Sequence, residues 1–410
     1  MSSIWQKYAR GQKIIAMGIM PYRPRGLTFS YDFAKKVNVR KVVEKIAENG
    51  CNSLGIVIRD TDGFLTYESD VTIPVPISVK NYRKILSVNS QNHKILFKAP
   101  IIDAKTQFEE KSIPNPSGRD LLGEFLDESK AQDLQFVGSF TLFADDYVGD
   151  LRKDWLLRSR MGWSGRVWNA QDGVYNHFIC PNYEGYRNYL RNLFKELFRK
   201  YPRLDGVGFD YVRFCGPQGV KEFIQSDLYC YCDQCVKLFK EKYSIDPQTI
   251  IPHGKYWKRW LDWRESVIVD LAAELHRIVI SDRPDRLTGA FVFQYPPALQ
   301  YMIAQNWKKL SPYLDMMIPM TYHSFGTSAN PILKAIILFL YKIFLLQKHG
   351  IKQSVVFPIV QATEAKPVDL YHALRVLGSG MTPVSIFKYS DMTRNHWKVL
   401  KKYAQKFIPK

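Results

Sequence analysis

Several things this sequence lacks narrow its class before any motif is read. No low-complexity block or long linker interrupts its 410 residues, and a content of 46% hydrophobic and 14% aromatic residues is ample for packing, which excludes a disordered chain. No arginine-rich tail or compact nucleic-acid motif is present, although 58 basic against 39 acidic residues give a formal charge of +19. The basic residues are dispersed instead, as in KKYAQKF at 401–407 and KLFKEKY at 237–243. A solvated basic surface is the first expectation, attraction of an anionic substrate the second and nucleic acid the third. Hydrophobic runs of bilayer length are missing too. ILKAIILFLYKIFLL at 332–346 falls short of the roughly 20 residues a bilayer needs, and Lys334 and Lys342 interrupt it. It is expected to be a heavily buried helix, with no membrane partner. The opening MSSIWQKYARGQK lacks the apolar core of a secretory signal, so a soluble, cytoplasmic protein is expected.

What is present is a strand–helix rhythm. Strands are predicted at 14–20, 53–59, 136–143, 205–211, 287–293, 314–320, 354–360 and 383–389, with helical patterns at 36–48, 185–200, 256–281, 331–348 and 367–378 between most of them. Eight such strands predict a (β/α)₈ TIM barrel over residues 1–410, with elaborated loops on its C-terminal face. KILFKAPI at 94–101 offers a competing strand. In the helix at 185–200, Tyr186, Tyr189, Leu190, Leu193, Phe194 and Leu197 form an apolar stripe, and Pro202 ends the run. Longer inserts follow strands two, three and four, where a barrel shapes its substrate cleft.

The most informative stretch is LDGVGFDYVRF at 204–214. It reads as a buried strand whose C-terminal end offers a carboxylate, a phenol and a guanidinium: Asp210, Tyr211 and Arg213. Barrel closure would bring further groups beside them: Asp60 and Asp62 from DTDG, Asp146 after strand three, Thr321, Tyr322 and His323 after strand six, and Glu364 after strand seven. Glycosidic hydrolysis needs one carboxylate as nucleophile or base and a protonated one as acid. Asp210 is the expected ionised partner, held so by Arg213, unless the two form a structural ion pair. Glu364 and Asp60 lead as the acid, with Asp146 behind them. DTDG also reads as an Asx turn with Gly63 at positive φ, one that lines the cleft. Trp155, Trp163 and Trp168, with Tyr295 and Tyr322, offer flat faces on which sugars stack.

Four of the six cysteines fall at 215, 230, 232 and 235. Cys230, Cys232 and Cys235 have C-x-C-x₂-C spacing, and Cys180 or Cys215 could supply a fourth thiolate. Four thiolates make a closed structural zinc site, expected here as a staple on an insert at 215–255. An iron–sulfur cluster or disulfides are the alternatives.

Pro181, Tyr186, Arg187, Asp210, Tyr211, Arg213 and Phe214 also resemble a large family of glycoside-hydrolase-type barrels from bacteria and archaea. In that family a strand ends in D-Y-x-R-[FY] after a helix introduced by a proline and a Tyr-Arg pair. The resemblance spans about residues 14–390 and implies the barrel, with an oligo- or polysaccharide as substrate. LYCYCDQCVKLFKEKYSID is similar to the zinc-binding segment of certain barrel beta-galactosidases, in which Cys180 would occupy the role of the cysteine from the preceding loop. Those enzymes place an Asn-Glu pair on the fourth strand, where this chain has Asp210, so the likeness implies the zinc staple and not the galactosidase chemistry. A carbohydrate-binding barrel without turnover stays open as an alternative to hydrolysis.

Overall fold

A computed structural model describes residues 13–20, 32–88, 93–169, 174–217, 223–323, 330–346, 351, 353–380 and 382–407. Its centre is a parallel sheet whose strands run Ile15–Ile19, Ser53–Arg59, Gln135–Thr141, Gly206–Asp210, Leu287–Val292, Met316–Pro319, the pair Val355–Val356 and Ile359–Gln361, and Val384–Phe387. The seventh of these is one strand in two pieces. Val355–Val356 pairs with the sixth strand and Ile359–Gln361 with the eighth, while Ile359 also bridges Met320. Pro358, between the pieces, has no N–H to give a ladder; its carbonyl accepts from Ser385 and the preceding Phe357 N–H donates to Met317. The handover joins both ends of the sheet, and eight strands close as a TIM barrel.

Local chemistry explains why these segments sit where they do. In Gly206–Asp210, Phe209 points outward, its ring 5.7 Å from Phe194 of the helix Glu184–Lys200. Gly208 faces the barrel axis, where an added Cβ would lie 2.8 Å from the Phe291 ring. The apolar stripe read from that helix is buried residue for residue.

Three inserts crown the C-terminal ends. The first, after strand two, contains two antiparallel pairs, Thr72–Pro76 with Phe108–Ser112 and Tyr82–Val88 with Lys94–Pro100. The competing strand at 94–101 therefore belongs to an insert hairpin and not to the barrel. Its exposed alternate residues mark it as a strand covered on one face only. The second insert carries the hairpin Arg166–Asn169 with Val174–His177. The third holds the cysteine segment and the helix Asp233–Tyr243.

One expectation fails outright. The helix Pro331–Leu346 is not heavily buried: Leu338 and Phe344 pack inward, but Ile332, Leu333, Ile336, Phe339, Leu340 and Ile343 are exposed. Its lysines take the inner positions, with Lys334 buried and 2.7 Å from Asp369, and Lys342 donating to Ser379.

Beneath the first two inserts lies a fully buried charged cluster. Arg59, the last residue of strand two, donates to the Thr141 carbonyl at 2.6 Å and pairs with Asp145. Asp145 caps the short helix Asp146–Leu151 through the Val148 N–H and accepts from the Tyr186 hydroxyl at 3.2 Å. Removing one partner of such a pair leaves the other charge stranded in low dielectric. Asp145→Ala is expected to cost about 3–5 kcal/mol of unfolding free energy, and a double Arg59→Leu, Asp145→Leu variant considerably less, both read from urea denaturation. Equal losses in the two variants would show that packing, not charge pairing, dominates there.

Candidate active site

A cavity of about 540 Å³ runs from the C-terminal rim into the barrel axis. Such barrels are ordinarily filled by layers of inward side chains; here Gly18, Gly55 and Gly208 line the space and leave it open. Its walls are largely apolar, with aromatic rings from Phe291, Phe293, Tyr295, Tyr322, Tyr341 and Phe387, and polar groups line it both at the rim and, as Ser53, Ser139 and Ser385, along the strands. Two of them are carboxylates: Asp60 and Asp210.

Asp60 follows strand two in the DTDG turn. The Phe64 N–H donates to its Oδ1 at 3.0 Å, and Gly63 takes φ +85°, so the Asx turn expected from the sequence forms. Oδ2 is buried without a hydrogen-bond partner among the described residues, as is the hydroxyl of the adjacent Thr61, and both residues line the cavity. A buried carboxylate oxygen with no partner is costly unless protonated or met by a ligand. Desolvation pushes this carboxyl up to about 7, against the pull of the Phe64 N–H and of Arg59.

Asp210 ends strand four. Its Oδ1 accepts from the Tyr211 N–H at 2.7 Å, and Tyr211 itself sits at φ +54°, a left-handed conformation that a tyrosine adopts only under local constraint. Desolvation raises the carboxyl to about 6; the Tyr211 N–H and Arg213 oppose the rise without cancelling it. The alternative of a structural Asp210–Arg213 ion pair is not realised, although Arg213 still favours the ionised carboxyl. The Arg213 guanidinium lies over the rings of Phe293, Tyr211 and Phe178, 4.6–5.3 Å from their centroids, and donates to the Phe214 carbonyl. Aromatic faces meet its charge in place of a carboxylate.

Strand register relates the two acids. Arg59 and Phe209 both pair with Phe140, and Asp210 pairs with Thr141, so Asp60 and Asp210 follow at one level on either side of Thr141. Two strand spacings separate them, roughly 9–10 Å between backbones before the side chains lean inward.

The other sequence candidates are dispersed. Glu364 is exposed, at φ +55° on the loop after strand seven, and does not line the cavity. Asp62 is buried outside the lining, its carbonyl accepting from Tyr147. Asp146 is spent on structure: it accepts from Asn176 at 2.8 Å and from the His177 N–H at 2.6 Å, joining the second insert's hairpin to its helix. His323 is wholly buried behind the cavity wall, where desolvation lowers its imidazole to about 4. Trp163 carries Lys94 against its ring at 5.2 Å, and Trp155 lies beneath Arg152, both outside the cavity. The side chain of Trp168 lies outside the described ones. Of the aromatics proposed for stacking, Tyr295 and Tyr322 are in place. Phe291 and Phe293, not anticipated, were available from period-two alternation along strand five; Tyr341 was not, because the helix bearing it was read as packing only.

A second constellation stands beside the barrel. Cys180, Cys230, Cys232 and Cys235 are all buried, with their sulfurs within 4.8 Å of one another. Sulfur–sulfur separations of 3.4 Å (Cys180 to Cys235) and 3.5 Å (Cys180 to Cys232) compare with roughly 3.8 Å along the edge of a tetrahedron built on 2.3 Å metal–sulfur bonds. The surroundings suit thiolates. N–H groups of Arg158, Asn182 and Cys232 donate to sulfur, as does the Asn182 side chain to Cys235 at 3.2 Å, and the Arg158 guanidinium is close enough for the thiolates of Cys232 and Cys230 to act on it. The donor set fits a thiophilic metal ion. Cys180 is its fourth member; Cys215 is buried but outside the group.

The chain belongs to the family described as "Putative glycosyl hydrolase domain", which matches residues 107–356. No curated protein matches it significantly in sequence. Its fold is similar to that of the PgaB (BpsB) glycoside hydrolase domain from Bordetella bronchiseptica, at TM-score 0.64 and 11% identity over 96% of this chain and 99% of that one. It is also similar to alpha-L-fucosidase isoenzyme 2 from Paenibacillus thiaminolyticus (TM-score 0.60, 13% identity, 96% of this chain and 49% of that one). A beta-galactosidase from Marinomonas ef1 gives TM-score 0.59 and 11% identity, over 96% of this chain and 59% of its own. The chain thus spans about half the length of the fucosidase. At these identities the likeness is one of fold alone, the (β/α)₈ barrel.

The two raised carboxyls make stability depend on pH with a definite sign. Each ionises more easily in the unfolded chain, so its contribution to stability is full below the ordinary value of 3.8 and is lost as pH rises through about 6 for Asp210 and about 7 for Asp60. Asp60→Asn is expected to flatten the decline in urea midpoint between pH 4 and 7. A wild-type midpoint that rises over this interval, with Asp60→Asn parallel to it, would place Asp60 in water.

Proposed function

We propose that this chain hydrolyses a glycosidic bond of an oligo- or polysaccharide, with Asp60 as general acid and Asp210 as general base. The observation that carries this reading is the pair of carboxyls, Asp60 buried and Asp210 half-buried, that line one cavity at the ends of strands two and four, both pushed up by desolvation and Asp60 the more. Asp60, the higher of the two, keeps its proton near neutrality and delivers it to the glycosidic oxygen as the bond to the anomeric carbon breaks. Asp210, ionised more readily and adjacent to Arg213, takes a proton from the water that attacks that carbon from the opposite face. The spacing implied by the register favours the roughly 6.5–9.5 Å of inverting enzymes over the 5–5.5 Å of retaining ones. Tyr295 and Tyr322 offer stacking faces to the sugar. Arg213, which lines the cavity with rings against its guanidinium and no ion pair to Asp210, suits a substrate hydroxyl or carboxylate; with the chain's positive charge, that supports an anionic saccharide.

The cysteine group is read as a structural zinc site. Four thiolates leave no open coordination position, so the ion would hold the third insert in place and take no part in the reaction. Zinc fits better than an iron–sulfur cluster because sulfurs 3.4–3.5 Å apart enclose a single ion.

Two measurements test these readings. Asp60→Asn and Asp210→Asn are each expected to lower kcat by about 10²–10⁴-fold on a cleaved oligosaccharide, while Glu364→Gln leaves it unchanged; proton NMR of the first-formed product should show an inverted anomer. Retention would reject the water-between-carboxylates geometry, and saccharide binding without any turnover by the wild-type protein would favour the carbohydrate-binding barrel. Elemental analysis of the purified protein should find zinc bound, and Cys232→Ser should lose it and melt at lower temperature. Iron in its place would overturn the zinc assignment.

A further inference from the structure

The helix Pro331–Leu346 is built inside out. Its two charged side chains face the protein, Lys334 pairing with Asp369 and Lys342 donating to Ser379. Its outer face presents Ile332, Leu333, Ile336, Phe339, Leu340 and Ile343, each between 41% and 72% exposed. These positions recur at the three- and four-residue spacing of one helical face. Together they leave on the order of 600 Å² of contiguous apolar surface, the upper end of what a monomer tolerates in water. Single exposed leucines are ordinary, whereas a whole helix face is not.

Charge around the patch selects its occupant. From residue 331 to 410 the sequence has thirteen lysines and arginines against three acidic residues, a net +10 out of +19 for the whole chain. The helix packs on Pro367–Leu377, which packs in turn on Arg394–Ala404. These neighbours expose Lys366, Arg375, Lys398, Lys401 and Lys402. A second copy of this face would bring like charge against like charge. Among the described residues no helix is long and apolar enough to cross a membrane. An apolar helical face too short to span, flanked by basic helices, suits the interface of an anionic bilayer, where side chains dip about 5–10 Å into the headgroup region.

We propose that this side of the barrel is a peripheral membrane-binding surface, with Ile336, Phe339 and Leu340 entering an anionic lipid interface and the basic helices of the same side drawn to its headgroups. The test is co-sedimentation of the full chain with phosphatidylcholine vesicles, with and without phosphatidylglycerol. Binding is expected to the anionic vesicles, to weaken with salt, and to be lost in an Ile336→Glu, Phe339→Glu double variant with unchanged thermal midpoint. Lys398→Gln, Lys401→Gln and Lys402→Gln should each weaken it by up to ~5-fold. Equal binding to neutral vesicles, binding indifferent to the helix substitutions, or a dimer that the double variant dissolves while vesicles stay unbound would each overturn the proposal.

Discussion

Closure of the barrel rests on a short passage of backbone around Pro358. The seventh strand joins the sixth through Val355–Val356 and again at Ile359, and the eighth through Ile359–Gln361, with a proline that lacks a ladder donor between the two pieces. Because the strands close, the ends of strands two and four face a common axis, and two aspartates separated by 150 positions in the sequence line one cavity. An open sheet would leave the same residues on a flat, wet edge, where neither carboxyl would resist ionisation. Desolvation at the rim therefore follows from topology as much as from the aromatic residues that line it.

The barrel was legible in the sequence because each strand is a short apolar run with its own helix, and alternation in segments such as GVGFD distinguishes inward from outward positions. The position of Asp60 and Asp210 at the C-terminal ends of strands two and four was legible for the same reason, since each follows or ends a short apolar run. Glu364 looked equivalent by position alone, but the turn after strand seven places it at positive φ and aims it into solvent. Asp146 was equally plausible until the second insert folded back and claimed its oxygens with Asn176 and His177. Loop conformation decides such cases, and residue type carries little information about it.

The apolar helix was misread for an instructive reason. Hydrophobicity predicts burial only when some other element covers the surface, and Lys334 and Lys342 do not mark the solvent side as lysines usually do. Here Asp369 and Ser379 receive them from within. The cysteine spacing, by contrast, was legible down to its ambiguity. C-x-C-x₂-C announced three ligands, and only the path of the chain could choose Cys180 over Cys215.

That choice shapes how the site is held. Cys180 precedes the helix leading into strand four, and Cys235 follows the strand's long exit loop, 55 positions later. A metal joining them would tie a noose around the segment that carries Asp210, Tyr211 and Arg213. Its hold is largely entropic, since closing a loop of this length deprives the loosened chain of conformations while adding nothing to the cavity itself. With a metal held there, the rim of the barrel would answer to the thiol chemistry of its surroundings: oxidation or chelation at the cysteines would loosen the strand end that carries Asp210.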